Sequence, residues 1–341
     1  MKSFFESVSQ VIKNKESAVM VTVVASSGST PRGDGAHMLI TKDGLQAGTI
    51  GGGAVEYKAE QMAAEKLKTK NSGSHSFMLR RNEVEDLGMI CGGDVEVFFS
   101  YLDPENPNVL SFSQAATTIA QSNEAAWLIM GISEESKNEI AIYQESKGMV
   151  GADIEEDIVL ACDSKEKIVK VDSKKYFIEQ IFEPGFVYIF GGGHVAQALV
   201  PILRSVNFRC VVIDDRPNFV NEKLFKGVEK TILLEALNDW HGFSITKDDY
   251  ICIMTRGHAH DLECEYQALQ TEAKYIGVIG SKHKIAGVNQ KLKEKGISDD
   301  SLKRITTPIG LAIKAETPAE IAISITAQMI EVRAGDKVAK R

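Results

Sequence analysis

The 341-residue chain has no stretch of about 18 residues without a polar group, the length a membrane-spanning helix needs. Met1 to Lys15 alternates charge with apolar residues and lacks the apolar run of a secretion signal. Neither a membrane span nor export is expected, and the expected location is the cytoplasm. Cysteine is scarce: Cys91, Cys162, Cys210, Cys252 and Cys264 are odd in number, widely spaced, and form no Cys-x-x-Cys pair. That usage fits a reducing compartment and argues against both Fe–S clusters and a structural zinc site. Positive charge is also short, 39 Lys+Arg against 47 Asp+Glu for a net charge of −8. This opposes any broad attraction to nucleic acid or anionic lipid, so anionic ligands have to be held by local groups.

What is present is ordinary globular material, 43% hydrophobic and 25% charged. At about 150 residues per domain, the length suggests two domains. Phe4, Phe5, Val8, Val11 and Ile12 recur at helical spacing and predict an opening helix that covers a sheet. Strands are predicted over 18–25, 36–40, 45–50 and 95–101, with Asp43-Gly44 as a type I′ hairpin turn and a helix over 55–70. From Asp103 the chain becomes rich in Pro and Asn, and strands are expected near 127–132, 140–143 and 167–171. Glu183-Pro184-Gly185 interrupts any regular element and sets the expected boundary between domains 1–183 and 184–334. Beyond it, strands near 186–190, 208–213, 231–234, 250–254 and 275–279 alternate with helical stretches. The predicted fold class is therefore α/β, an N-terminal α+β domain followed by a C-terminal Rossmann-like, doubly wound parallel sheet. Thr317-Pro318-Ala319-Glu320 announces the last helix with a capping box.

Gly191-Gly192-Gly193-His194-Val195-Ala196 follows a predicted strand and opens a predicted helix, matching G-x-G-x-x-A. Asp214 and Asp215 end the next strand about twenty residues on, where a ribose-binding acid is expected. The same residues also serve tight β-α packing with no nucleotide bound. A branched side chain at Gly193 is expected to block both backbone approach and helix packing. After the fourth strand of this domain, Arg256, His258, His260 and Asp261 stand at the edge where open α/β sheets place ligands. The histidines suit acid–base or metal chemistry or a plain solvent-exposed loop, and Asp261 is expected to cap the next helix. In the first domain, Gly28 to Gly35 is a small-residue loop around Arg32, which can grip a phosphate bidentately. Gly51-Gly52-Gly53 before a helix is a second candidate anion cradle. Cys91-Gly92-Gly93 leaves a thiol uncrowded, open to ligand or nucleophile chemistry, whereas Cys210 and Cys252 sit inside apolar strands as core.

With these residues the chain resembles the XdhC/CoxI family, accessory proteins of xanthine dehydrogenase and related molybdenum hydroxylases. The resemblance runs through Gly28-Ser29-Thr30-Pro31-Arg32, Gly35-Ala36-His37-Met38-Leu39, Gly48 to Gly53 with Glu56, and Cys91-Gly92-Gly93. It continues through Gly191-Gly192-Gly193-His194-Val195, Asp214-Asp215-Arg216-Pro217, Tyr275 to Ser281, Pro308 to Leu311 and Thr317 to Glu320. It implies binding of molybdenum cofactor, support of its sulfuration, and delivery to an apo-hydroxylase. Cys91 is implied as the residue that holds the metal. The implied partners are xanthine dehydrogenase or a related hydroxylase, a cysteine desulfurase-type sulfur donor and a second copy in a homodimer. Relatives often read Thr-His-x-His after the fourth strand of the second domain, and here Arg256 replaces the first histidine. A carrier uses both halves of the chain. The alternative, an NAD(P)-dependent oxidoreductase with His258 as acid–base, uses only the second, and the five scattered cysteines cannot ligate the Fe–S clusters of a hydroxylase.

Overall fold

The structure is a computed structural model that describes residues 2–28, 32–78, 93–119, 123–162, 166–237, 239–256, 258–280 and 282–335. The chain divides into two compact units between Glu183 and Pro184. Among the described residues no helix is long and apolar enough to cross a membrane.

The first unit is built on two antiparallel sheets. Helix α1 (Lys2–Lys13) leads into β1 (Ala18–Ser27), β2 (His37–Thr41) and β3 (Gly44–Gly48). Helix α2 (Gly53–Thr69), β4 (Gly73–Met78) and β5 (Asp94–Leu102) complete a sheet of order β3-β2-β1-β5-β4. Helix α3 (Pro107–Thr118) then leads to a second sheet of order β8-β7-β6-β10-β9. Its strands are β6 (Ala126–Gly131), β7 (Ile140–Gln144), β8 (Gly148–Gly151), β9 (Glu166–Val171) and β10 (Lys174–Phe182). Period-2 alternation splits β1 between two cores. Val19, Val21 and Val23 pack with Val55, Ala59 and Ala63 of α2, whereas Ala18, Met20 and Val24 join α1, α3, β6 and β10 in a core shared by both sheets.

Three polar side chains cross that shared core. Thr22 Oγ1 lies 2.9 Å from His37 Nδ1, and His37 Nε2 lies 2.7 Å from Glu179 Oε2 on β10. His37 is 7% and Glu179 4% exposed, and Phe4 stacks on the imidazole at 5.3 Å. Buried polar groups at this depth are tolerated only when paired.

The structure departs from expectation in several places. The β2–β3 hairpin pairs Thr41 with Gly44, so its two loop residues are Lys42 and Asp43. Of the residues at this turn only Gly44 takes positive φ, at 93°, which excludes the type I′ turn, since that needs two residues in the left-handed region. The Pro/Asn-rich stretch hides α3: Asn106 caps it by accepting from Asn108 N, and Pro107 takes the first helical position, where a missing N–H is harmless. β4, β8 and β10 are additional to the strands expected in this unit. β4 is largely polar, and Glu179 interrupts the apolar face of β10.

The second unit is a six-stranded parallel sheet of order β13-β12-β11-β14-β15-β16. It comprises β11 (Val187–Phe190), β12 (Cys210–Asp214), β13 (Lys230–Leu233), β14 (Tyr250–Ile253), β15 (Tyr275–Val278) and β16 (Ile305–Thr306). Helices α4 (His194–Ser205), α5 (His258–Leu269), α6 (Lys282–Glu294), the one-turn α7 (Asp299–Leu302) and α8 (Pro318–Ala334) connect and flank the strands. Alternate residues of β11 serve opposite faces: Val187 and Ile189 pack with α4 and α8, Tyr188 and Phe190 with α5 and Trp240. Cys210 and Cys252 are buried in the first of these cores. Thr317 and Glu320 form the capping box at the start of α8. The strand order reverses direction between β11 and β14, the switch point at which open α/β sheets bind ligands.

The His37–Glu179 bond makes a direct prediction. Glu179→Ala should leave a buried imidazole without its acceptor and cost about 2–4 kcal/mol, with Glu179→Gln recovering part of the loss. Urea denaturation of the full chain measures it, and a change below about 0.5 kcal/mol would show that the bond contributes nothing.

Candidate functional site

At the switch point β11 ends and Gly191-Gly192-Gly193 turns into α4. A Cβ on Gly191, whose φ is 110°, would lie 2.3 Å from Met254 O, and one on Gly192 would lie 1.9 Å from Phe219 O. No side chain fits either place, so these two glycines are required by backbone-on-backbone approach. Gly193 differs from expectation. Its φ is −68°, and a Cβ there would meet nothing within 4 Å. It is not the tight point of the turn; it borders open space in front of α4, whose first turn has no side-chain cap. His194, the first residue of α4, is exposed.

Asp214, at the end of β12, is 1% exposed and fully engaged. Its Oδ2 accepts from Gly192 N at 2.7 Å and Arg216 Nη2 at 2.9 Å, and its Oδ1 accepts from Arg216 N at 2.9 Å and Nε at 2.8 Å. Burial opposes ionisation, but the bonds from Arg216 and Gly192 together outweigh it and hold the carboxyl below the usual carboxylate range. Arg216 in turn lies over the Phe219 ring at 3.8 Å. Asp215 accepts from Arg256 Nη2 at 3.1 Å, which brings the loops after β12 and β14 together.

Asp261 lies inside α5, in its first turn. Its Oδ1 turns back to Thr255 Oγ1 at 2.5 Å and Thr255 N at 3.3 Å, bracing the loop after β14. His258 is the first residue of α5. Glu265, one turn beyond Asp261, is a titratable group that the sequence does not advertise. Desolvation first, and the Asp261 charge second, push its carboxyl up to about 7. Its place within an ordinary helical pattern carries no signal of this. Among the described residues no group of three or more His, Cys, Asp and Glu side chains is arranged to hold a metal ion.

In the first unit Gly51, Gly52 and Gly53 all adopt positive φ, at 126°, 75° and 66°. The loop they form is filled by the chain's own anion. Glu56 Oε2 accepts from Thr49 Oγ1 at 2.5 Å, Ile50 N at 2.8 Å and Gly52 N at 3.0 Å. Burial raises the Glu56 pKa, yet these bonds together bring it below its ordinary value of 4.5. At the Gly28–Gly35 loop, Ser26 Oγ donates to Asp34 Oδ1 at 2.6 Å, and Arg32 is exposed. Gly35 closes the loop at φ 80°, where a Cβ would fall 2.6 Å from Glu179 Oε1. Gly93 is buried just before β5, while Cys91 and Gly92 lie outside the described residues. The structure thus joins Gly191–Gly193 to Asp214, Asp215 to Arg256, and Gly51–Gly53 to Glu56.

This geometry separates the glycines energetically. Gly192→Ala should cost at least about 2 kcal/mol in thermal unfolding, because backbone must move, whereas Gly193→Ala should stay within about 1 kcal/mol of the parent; equal losses would refute the assignment of the tight turn. Glu56→Gln should cost about 1–3 kcal/mol at pH 7. A depressed folded pKa contributes stability above the unfolded value and loses it as pH falls through the folded value, so that gap should narrow once pH falls below the ordinary value of 4.5 and close as pH falls through the lowered one. A gap independent of pH would mean that the charge plays no part.

Comparison with known proteins covers both units. The XdhC and CoxI family matches residues 11–80 and the XdhC Rossmann domain matches residues 187–329. Similar curated proteins include the uncharacterized protein YqeB of Escherichia coli K12, 25% identical over 317 residues, which are 92% of this chain and 43% of YqeB. This chain therefore spans less than half of that relative. A Bacillus subtilis 168 protein named as a probable xanthine dehydrogenase subunit is 24% identical over 98% of both chains. The molybdenum cofactor insertion chaperone PaoD of Escherichia coli K12 is 23% identical over 95% of this chain and 86% of its own. A crystal structure described as a xanthine dehydrogenase from Bacillus halodurans has a TM-score of 0.77 at 25% identity, over 98% of both chains. Two matched segments, one in each unit, with the glycine turns and capping box they contain, mean that the chain belongs to the XdhC and CoxI family, with an XdhC Rossmann domain as its second unit.

Proposed function

We propose that this protein is a molybdenum-cofactor accessory protein, which binds the cofactor, supports its sulfuration and delivers it to an apo-hydroxylase of the xanthine dehydrogenase kind. The observation that carries the reading is near-full-length similarity to two relatives at once. One is named as a probable xanthine dehydrogenase subunit and one as a molybdenum cofactor insertion chaperone. The cofactor is cargo here, and the residue types suit it. Cys91 offers a soft thiolate for molybdenum, and Arg32 is an exposed guanidinium for the pterin phosphate. The Gly51–Gly53 loop is a further anion cradle, available once Glu56 leaves it. In the second unit, the open space at Gly193 and the switch point between β11 and β14 suit a dinucleotide. The partners in this reading are the hydroxylase, a cysteine desulfurase-type sulfur donor and a second copy of the chain.

The test is reconstitution of apo-xanthine dehydrogenase with sulfurated cofactor, with and without the protein, beside a screen for nicotinamide reduction. Activation without turnover by the isolated protein supports the carrier. Cys91→Ser should fold normally and lose cofactor retention on gel filtration by at least about tenfold, a hydroxyl being a harder and weaker ligand. Robust nicotinamide reduction with no effect on reconstitution would overturn the reading in favour of an NAD(P)-dependent oxidoreductase.

A further inference from the structure

The hydrogen-bonding groups at the crevice rim are lopsided. A dinucleotide of the NAD type is gripped at its adenosine ribose by an acid at the end of the second strand, which accepts from the 2′- and 3′-hydroxyls. Asp214 holds that position, and a carboxylate offers about four acceptor places. All four are taken, by Gly192 N and by Arg216 N, Nε and Nη2. The carbonyl of Phe219 closes on Gly192 from the same segment, and the Phe219 ring supports the guanidinium. The place of a ribose diol is thus filled by the chain itself.

Donors, by contrast, are in surplus. A guanidinium carries five N–H groups. Arg216 directs two to Asp214 and Arg256 directs one to Asp215, so three and four remain among the described residues. The Arg216 side chain is 25% and that of Arg256 54% exposed, so both are open in part to solvent at the rim. Against them stands one carboxylate with capacity to spare, Asp215, 3.7 Å from Arg216 Nε and already paired with Arg256. A hydroxyl pair needs acceptors, and finds those of Asp214 taken and Asp215 shared with Arg256; a phosphate needs donors in a planar fork and finds two.

We infer that the rim formed by Arg216 and Arg256 is a phosphomonoester site, and that this Rossmann domain selects a dinucleotide bearing a ribose 2′-phosphate over one with a free 2′-hydroxyl. Arg216 is the specificity-determining residue, because it both removes the acceptor and supplies the donor. The inference rests on the proposed reading of the second unit as a dinucleotide site, and it names the ligand class that the reading leaves open.

Isothermal titration of the full chain with NADP and with NAD, and with inorganic phosphate as a control, tests it. NADP should bind at least about tenfold more tightly than NAD, since a site whose polar groups match one ligand leaves them unmatched with the other. Arg216→Ser, which frees Asp214, should shrink that ratio about fivefold or more, partly by tightening NAD. Arg256→Gln, at an exposed position that does not threaten folding, should weaken NADP and leave NAD unchanged. If the Arg216 variant loses its circular dichroism, the Arg256 variant decides alone. NAD binding as tightly as NADP would overturn the inference and leave the dinucleotide reading standing. Binding of neither would overturn both. Inorganic phosphate displacing NADP at its own affinity would show a free-phosphate site and overturn the ribose assignment.

Discussion

One carboxylate, that of Asp214, sets the form of the crevice in the second unit. Its bond from Gly192 N fixes the turn after β11, and its three bonds from Arg216 fix the segment after β12. Those two segments approach so closely that only glycine fits at position 192. A neutral side chain of the same shape could satisfy some of these donors. It would not hold a guanidinium in bidentate register, and it would leave that cation against Phe219 without its counter-charge at Asp214. The open ground at Gly193 is a consequence: the turn is anchored one residue earlier, so the N-cap of α4 is left without any packing duty.

The first unit solves its corresponding problem in the same way. Three consecutive glycines at positive φ turn backbone N–H groups inward, an arrangement that is costly unless an anion meets them. Glu56 supplies the anion from the first turn of α2, where the helix dipole also favours it. Deeper in the unit, Glu179 performs a related task for His37 and bounds the space available to Gly35. Each glycine-rich loop is therefore defined by a particular acidic partner, and glycine content alone does not specify its shape.

Much of this is legible in the sequence, and the reasons for success and failure are specific. Strands β11, β12, β14 and β15 are near-continuous apolar runs because both faces of a parallel sheet are covered, and such runs announce themselves. The capping box at Thr317 is a local signal in which every participant lies within four residues. β10 escapes notice because its apolar face is interrupted by a buried acid, Glu179, whose partner, His37, is 142 positions away. α3 escapes because its proline reads as punctuation where it serves as a helix start. The Asp214 position is recognisable as a ribose acid from its spacing, but its capture by a residue two positions on depends on a χ-angle choice that no spacing encodes. The motif points to Gly193 as the tight point of the glycine turn, whereas the crowding atoms, Met254 O and Phe219 O, come from distant segments and fall on Gly191 and Gly192.

The two anion loops are consequently not equivalent, although their sequences look alike. The Gly51–Gly53 loop is closed by a carboxylate held below its ordinary pKa, so it stays charged at neutral pH, and an incoming anion must compete for the same N–H groups. Any affinity there is reduced by the free energy of expelling Glu56. At the second loop the internal acid binds behind the turn, through Gly192 N, and leaves the forward side clear at Gly193. No expulsion is required, and the guanidiniums of Arg216 and Arg256 already stand at the margin. In a chain of net charge −8, where the overall field repels anions, local donors of this kind are what an anionic ligand must rely on. On the proposed reading the second unit therefore offers an anion the more accessible donors, even though the first carries the longer run of positive-φ glycines.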